Sequence, residues 1–144
     1  MSEFEFVKSD SMKVDVLPSQ EGELCTKEAI ADICKSETVV AFDVYRAGTL
    51  VGFALLRKYD ENGYFLWNYA IDAKYQNRGF GTEILRELIS IMRDEYGADE
   101  LVTTYIFGNE HAKHVYEKVG FIETDVVDEP DCHEVNMALA INKA

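Results

Sequence analysis

Gln76, Gly79 and Gly81 stand at the spacing Gln-x-x-Gly-x-Gly inside "AIDAKYQNRGFGTEIL", residues 70–85. The apolar residues before them read as a strand, and Ile84, Leu85, Leu88, Ile89, Met92 and Tyr96 after them recur at helical spacing. Two residues without side chains therefore fall where a strand hands over to a helix. There the backbone N–H groups can approach a ligand and the helix N-terminus adds partial positive charge. The arrangement suits a pyrophosphate, and a plain tight turn would look the same. Two phosphate loops fail on spacing. A dinucleotide fingerprint needs a small residue where Ile84 stands, and a nucleoside triphosphate loop needs Gly-Lys-Ser/Thr where the chain has Gly81, Thr82 and Glu83.

A second constellation follows in "NEHAKHVYEKVGF", residues 109–121. Asn109 is a good N-cap for a helix whose inner face is Ala112, Val115, Tyr116 and Val119, with Gly120 as its stop. On spacing alone Tyr116 is a core aromatic. His111, His114 and His133 show no ligand spacing, and Cys25, Cys34 and Cys132 form no C-x-x-C pair, so free thiols and no metal are expected.

The elements that must position these residues are legible as periodicities. Thr26 to Lys35 puts Ala29, Ile30, Ile33 and Cys34 on one helical face, with Thr26 as N-cap. "TVVAFDVY" and "LVGFALL" flank the turn "RAGT" as a hairpin, and "YFLWNYAID" follows as a central strand apolar enough to be buried on both faces. "LVTTYIF", "FIETDVV" and "HEVNMALAI" are the remaining strands. The class is mixed α/β with an antiparallel front half.

The 144 residues are enough for one domain with one core, and the formal net charge of −13 opposes nucleic acid while favouring a cationic substrate. No apolar run approaches the roughly 18 residues of a membrane span, and the N-terminus carries no export signal, so a cytoplasmic protein is expected.

The two motifs together resemble the GNAT superfamily of N-acetyltransferases. Its pyrophosphate loop reads Gln/Arg-x-x-Gly-x-Gly/Ala, and its later helix reads Asn-x-x-Ala-x-x-x-Tyr-x-x-x-Gly-Phe, met here by Asn109, Ala112, Tyr116, Gly120 and Phe121. The resemblance runs from about Val39 to Ala140. It implies a single N-acetyltransferase domain over residues 1–144, with one mixed, mostly antiparallel sheet splayed at its central strands and flanked by helices. It further implies acetyl-coenzyme A as cosubstrate. The backbone of Gln76, Asn77, Arg78, Gly79, Phe80, Gly81 and Thr82 would bind the pyrophosphate, and Ala70, Ile71 and Asp72 would pair with the pantetheine arm beside a strand bulge. A backbone N–H near Ile71 would polarise the thioester carbonyl, Asn109 would touch the arm, and Tyr116 would be the catalytic acid for the leaving thiolate. Arg78, Lys113 and Lys118 are further candidates for phosphate oxygens.

Several relatives carry a strand glutamate as base where this chain has Trp67 and Asn68. Asp72, Asp43 and Glu134 are alternatives, and an ordered water network is the assignment made. Within the superfamily the chain is most like the bacterial diamine and spermine/spermidine acetyltransferases, which implies a small cationic polyamine as acceptor. Carboxylates in "TDVVDEPDCHE" would line its channel or form a solvated hairpin. Residues 1–13 look too short for the first strand and helix of relatives, and a homodimer through "HEVNMALAI" is the expected assembly. Acetylation of a protein N-terminus, an amino acid or an aminoglycoside, and a non-catalytic coenzyme A sensor, are the competing readings.

Overall fold

A computed structural model describes residues 3–15, 26–76, 78–130 and 132–141. Strand β1 (Phe4–Lys8) leads to helix α1 (Lys27–Ile33), strands β2 (Val39–Arg46), β3 (Thr49–Asp60) and β4 (Gly63–Ile71), and helix α2 (Phe80–Tyr96). Strand β5 (Glu100–Ile106), helix α3 (Glu110–Lys118) and strands β6 (Ile122–Glu129) and β7 (Cys132–Ala140) follow. They form one seven-stranded sheet in the order β1-β2-β3-β4-β5-β7-β6. Every neighbouring pair is antiparallel except β4 and β5. This is the open mixed sheet with flanking helices that the sequence implies.

Local chemistry sets most boundaries. Ala47 and Gly48 both adopt positive φ, 51° and 81°, which gives the two-residue hairpin turn between β2 and β3 the twist the strands require. Thr26 caps α1, its hydroxyl accepting from the Ala29 N–H at 3.1 Å. That helix stops at Ile33, two residues before the expected Lys35. Helix α2 ends at Gly97, at φ 68°, and the Ala98 N–H closes back on the Met92 carbonyl at 2.9 Å.

Residues 1–13, short for the first strand and helix of relatives, hold a strand: Phe4–Lys8 pairs with β2 in register Phe4 to Arg46 and Lys8 to Phe42. The reason is the period-two placement of Phe4 and Phe6, whose rings meet Phe80 and Phe42 edge-on at 5.5 and 5.9 Å.

Hydrophobic clusters lie on both faces of the sheet, one of them joining Phe4, Val44, Val51, Phe80 and Ile84 beside the start of α2. Another, under α2 and α3, gathers Phe42, Ala54, Leu56, Leu66, Leu85, Leu88, Met92 and Leu101. A third, under α1, gathers Met12, Val14, Ile30, Ala41, Phe53, Leu55 and Ala70. Strand β4 is central as expected but alternates buried with half-buried residues rather than being buried throughout. Leu88 is fully buried at the middle of α2. Leu88→Ala is expected to cost about 2–5 kcal/mol of unfolding free energy in a urea titration, since the site can collapse only partly. No helix among the described residues is long and apolar enough to cross a membrane.

Candidate active site

Strands β4 and β5 separate partway along their length. Their parallel pairing covers only Gly63–Leu66 against Glu100–Thr103, although β4 runs on to Ile71 and β5 to Ile106. The last paired residues are tied by a side chain, because the buried Thr103 hydroxyl donates to the Leu66 carbonyl at 3.1 Å. Beyond that point β4 is laddered only to β3, and β5 only to β7. The gap between the two diverging edges is one into which a strand-like partner could fit.

The cause is a bulge. The β3–β4 register pairs Leu55 with Asn68 and Leu56 with Leu66, so Trp67 is an extra residue in β4. The faces change accordingly. Leu66 and Tyr69 both pack into the core under α2, while Trp67 and Ala70 pack under α1, and Asn68 falls on that same face by alternation. Trp67 stacks on Phe65 at 6.4 Å, with the Arg57 guanidinium 6.0 Å from its ring centre.

At the end of the splayed strand the chain makes one short 3-10 turn, Ala73–Tyr75, and enters α2. Gly79 is the N-cap of α2 at φ 80°, ψ 1°, and offers no side-chain cap. The first helical bond runs from the Glu83 N–H to the Gly79 carbonyl at 3.2 Å. The N–H groups of Phe80, Gly81 and Thr82 precede it and point off the helix end, where the dipole favours an anion. The Phe80 side chain faces the core, packed on Phe4 with Arg46 5.0 Å from its ring centre, so only its backbone serves this end.

The other sequence-picked residues divide by role. The Gln76 side-chain amide donates to the Ile71 carbonyl at 3.0 Å and clasps the turn to the strand end. Asp72 accepts from the Lys74 N–H at 3.0 Å and the Asp15 N–H at 3.2 Å, so both carboxylate oxygens hold backbone rather than poise a base. Arg78 is exposed, its guanidinium 5.6 Å from the Tyr75 ring centre. Ala70 is buried and Ile71 half-buried, leaving the strand backbone as their contribution, and Asn77 lies outside the described residues. Asn109 caps α3, its side-chain oxygen accepting from the Ala112 N–H at 3.2 Å. Tyr116 is buried in the α2-side core with its ring 5.6 Å from Phe121, so the core aromatic and the candidate acid are one residue.

Among the alternative bases, Asp43 is buried and accepts from the Lys13 ammonium at 2.8 Å. It serves the core under α1. Glu134 is half-buried on β7 opposite Ile106. Within the β6–β7 hairpin, Asp125 accepts from Asn136 at 3.0 Å and from Thr124 at 2.8 Å, bonds that pull its pKa below the usual carboxylate value. Asp128 pairs with His133 at 2.6 Å, and Asp131 lies outside the described residues. Asp125 and Asp128 are thus partnered within the hairpin. Lys113 lies 3.5 Å from Glu123, which draws it away from a phosphate role. No cluster of three metal-ligating side chains occurs among the described residues.

One residue escaped the sequence reading. The Tyr69 hydroxyl donates to the Gly81 carbonyl at 2.5 Å, across the junction of the splayed strand and the glycine turn. Nothing in a strand tyrosine announces such a partner.

The sequence model of the Acetyltransferase (GNAT) family matches residues 10–121. The chain belongs to the GNAT family. The spermine/spermidine N(1)-acetyltransferase of Bacillus subtilis (strain 168) is 32% identical over 103 residues, 67% of this chain and 68% of the relative. Among solved structures, the ribosomal-protein-S18-alanine N-acetyltransferase from Escherichia coli matches with a TM-score of 0.70 at 25% identity, covering 83% of this chain and 79% of that one. A GNAT family acetyltransferase from Elizabethkingia anophelis with acetyl-CoA bound shares the fold at a TM-score of 0.73 and 17% identity, over 98% of this chain and 100% of that one. The protein is thus an N-acetyltransferase of the GNAT family.

Proposed function

We propose that this GNAT enzyme, as one cytoplasmic catalytic domain, moves the acetyl group of acetyl-coenzyme A directly to a primary amine of a polyamine. One observation carries the cosubstrate: the open edge of β4 at Trp67–Ile71 and the N–H groups of Phe80, Gly81 and Thr82 lie on consecutive stretches of chain, separated by a single short turn. An extended arm ending in a pyrophosphate fits that order. Ala70, Ile71 and Asp72 take the arm along their backbone, Gln76 to Thr82 take the phosphates, and Asn109 touches the arm from α3.

The chemistry needs few groups. The neutral amine nitrogen attacks the thioester carbonyl, the C–N bond forms, and the C–S bond breaks. The thiolate receives a proton from the Tyr116 phenol, and the amine surrenders one to ordered water. An alkylammonium of pKa ~10 is neutral about once in a thousand molecules at pH 7, a deficit of roughly 4 kcal/mol. With Asp72 capping a turn and Asp43 held by Lys13, ordered water is the path assigned here, and Glu134 on β7 is the carboxylate that stays as its alternative.

The polyamine acceptor is supported by the likeness to the Bacillus enzyme and by the net charge of −13, which draws polycations. A second reading, a protein N-terminal amine, is favoured by the likeness to the Escherichia coli enzyme. Thiol release from acetyl-coenzyme A, screened over spermidine, spermine, diamines, amino acids, aminoglycosides and N-terminal peptides, is expected to be highest with spermidine or spermine. Faster turnover of a peptide would replace the acceptor. If none of these amines yields thiol while acetyl-coenzyme A still raises the melting temperature, a sensor is left instead. For a homodimer, β7 is flanked by β5 and β6, so an interface there would use its faces rather than its edge.

A further inference from the structure

We infer that Tyr69 is a positioning residue for cofactor binding: its phenol holds the Gly81 carbonyl and thereby strengthens the Thr82 N–H as a donor to the pyrophosphate. The inference rests on the glycine turn being the pyrophosphate site.

The geometry is specific. Tyr69 lies two residues past the bulge, in the part of β4 that has lost β5, and faces α2. Its hydroxyl donates to the Gly81 carbonyl at 2.5 Å. That carbonyl belongs to the same peptide unit as the Thr82 N–H, one of the donors that precede the first helical bond. A hydrogen bond accepted by a peptide oxygen polarises the unit and makes its N–H a better donor, an effect that grows in a low-dielectric surrounding. The residue is half-buried and packs against the core under α2.

The phenol is kept in the donating form. Burial raises its pKa well above the ordinary tyrosine value, with a further rise from the neighbouring Tyr116 that outlasts the opposing backbone hydrogen bond from Leu85. Across assay pH it stays protonated. The same bond has a mechanical consequence, because it pins the splayed strand to the first turn of α2. The spacing between the arm-pairing edge at Ala70–Asp72 and the phosphate donors at Phe80–Thr82 is thereby fixed by a contact at one point.

Tyr69→Phe removes the hydroxyl and keeps the ring in the core, so the variant tests the hydrogen bond alone. Two acetyl donors separate the roles: acetyl-coenzyme A and S-acetylpantetheine, which lacks the pyrophosphate. With saturating amine, kcat/KM for acetyl-coenzyme A is expected to fall about fivefold to tenfold through KM, with kcat within about twofold of wild type. The value for S-acetylpantetheine is expected to be unchanged. A Tyr69→Phe enzyme with wild-type KM for acetyl-coenzyme A and only a lower melting temperature would reduce Tyr69 to a stability role and overturn the inference. Equal losses with both donors would overturn it too, since the effect would then lie in the strand. A wild-type enzyme that treats the two donors alike would instead remove the pyrophosphate site itself.

Discussion

Tyr116→Phe is expected to lower kcat about a hundredfold while leaving KM for acetyl-coenzyme A nearly unchanged. General acid catalysis contributes about 10²–10⁴ in rate. The lower end is expected because a thiol of pKa near 8.5 is already a fair leaving group, so a proton donor helps less than it would for an alkoxide. The substitution is also the clean one. Tyr116 is buried against Phe121 in the core under α2, and phenylalanine keeps that ring contact. Tyr116→Ala would remove a buried ring at a cost of about 3–5 kcal/mol and confuse chemistry with folding. Stopped assays at saturating acetyl-coenzyme A and amine, with circular dichroism as the folding check, read the effect. A Tyr116→Phe enzyme with undiminished kcat would strip Tyr116 of the acid role and leave it as core.

Gly81→Asp is expected to abolish cofactor binding in a protein that is at least as stable as wild type. A Cβ at Gly81 would meet only Ile71 Cγ1, at 3.8 Å, an ordinary contact, so the free protein has room for a side chain. Helix propensity and an acid in the first turn of α2 together favour the variant by about 0.5–1 kcal/mol. At the pyrophosphate, by contrast, a carboxylate faces like charge, and such juxtapositions cost several kcal/mol, a loss of affinity of about a hundredfold or more. Calorimetric titration with acetyl-coenzyme A and a melting curve of the free protein report the two halves. Gly81→Ala, which adds a methyl group without charge, keeps turnover within a few-fold. Retained affinity in Gly81→Asp would move the phosphates away from this turn. Gly79 is the less informative target, since at φ 80° any other residue except one tolerant of the left-handed region strains the free protein as well.

The caps and faces of the helices were readable because each is encoded within a turn or two of chain. Asn109 needs only the N–H three residues on, and Gly97 needs only a position after Tyr96 where φ can turn positive. The two motifs were readable for the same reason, since Gln76, Gly79 and Gly81 act through backbone that is local to them. Strand β1 has a local signal in the alternation of Phe4 and Phe6, but it becomes a strand by pairing with Phe42–Arg46, 34 to 42 positions away in the chain.

What the sequence by itself determined is the order of strand, glycine turn and helix, the cap and inner face of α3, and through them the GNAT family. What only the tertiary structure decided is where the sheet opens. That depends on Trp67 being the surplus residue between the Leu55–Asn68 and Leu56–Leu66 pairs and on Thr103 closing the last paired step with Leu66, 37 residues away. The same holds for the reassignment of Asp72 to a cap, of Asp43 to an ion pair with Lys13, and of the Tyr69 phenol to the Gly81 carbonyl. Strand register and burial are properties of the whole sheet, and a side chain's hydrogen-bond partner follows from them rather than from its neighbours in the chain.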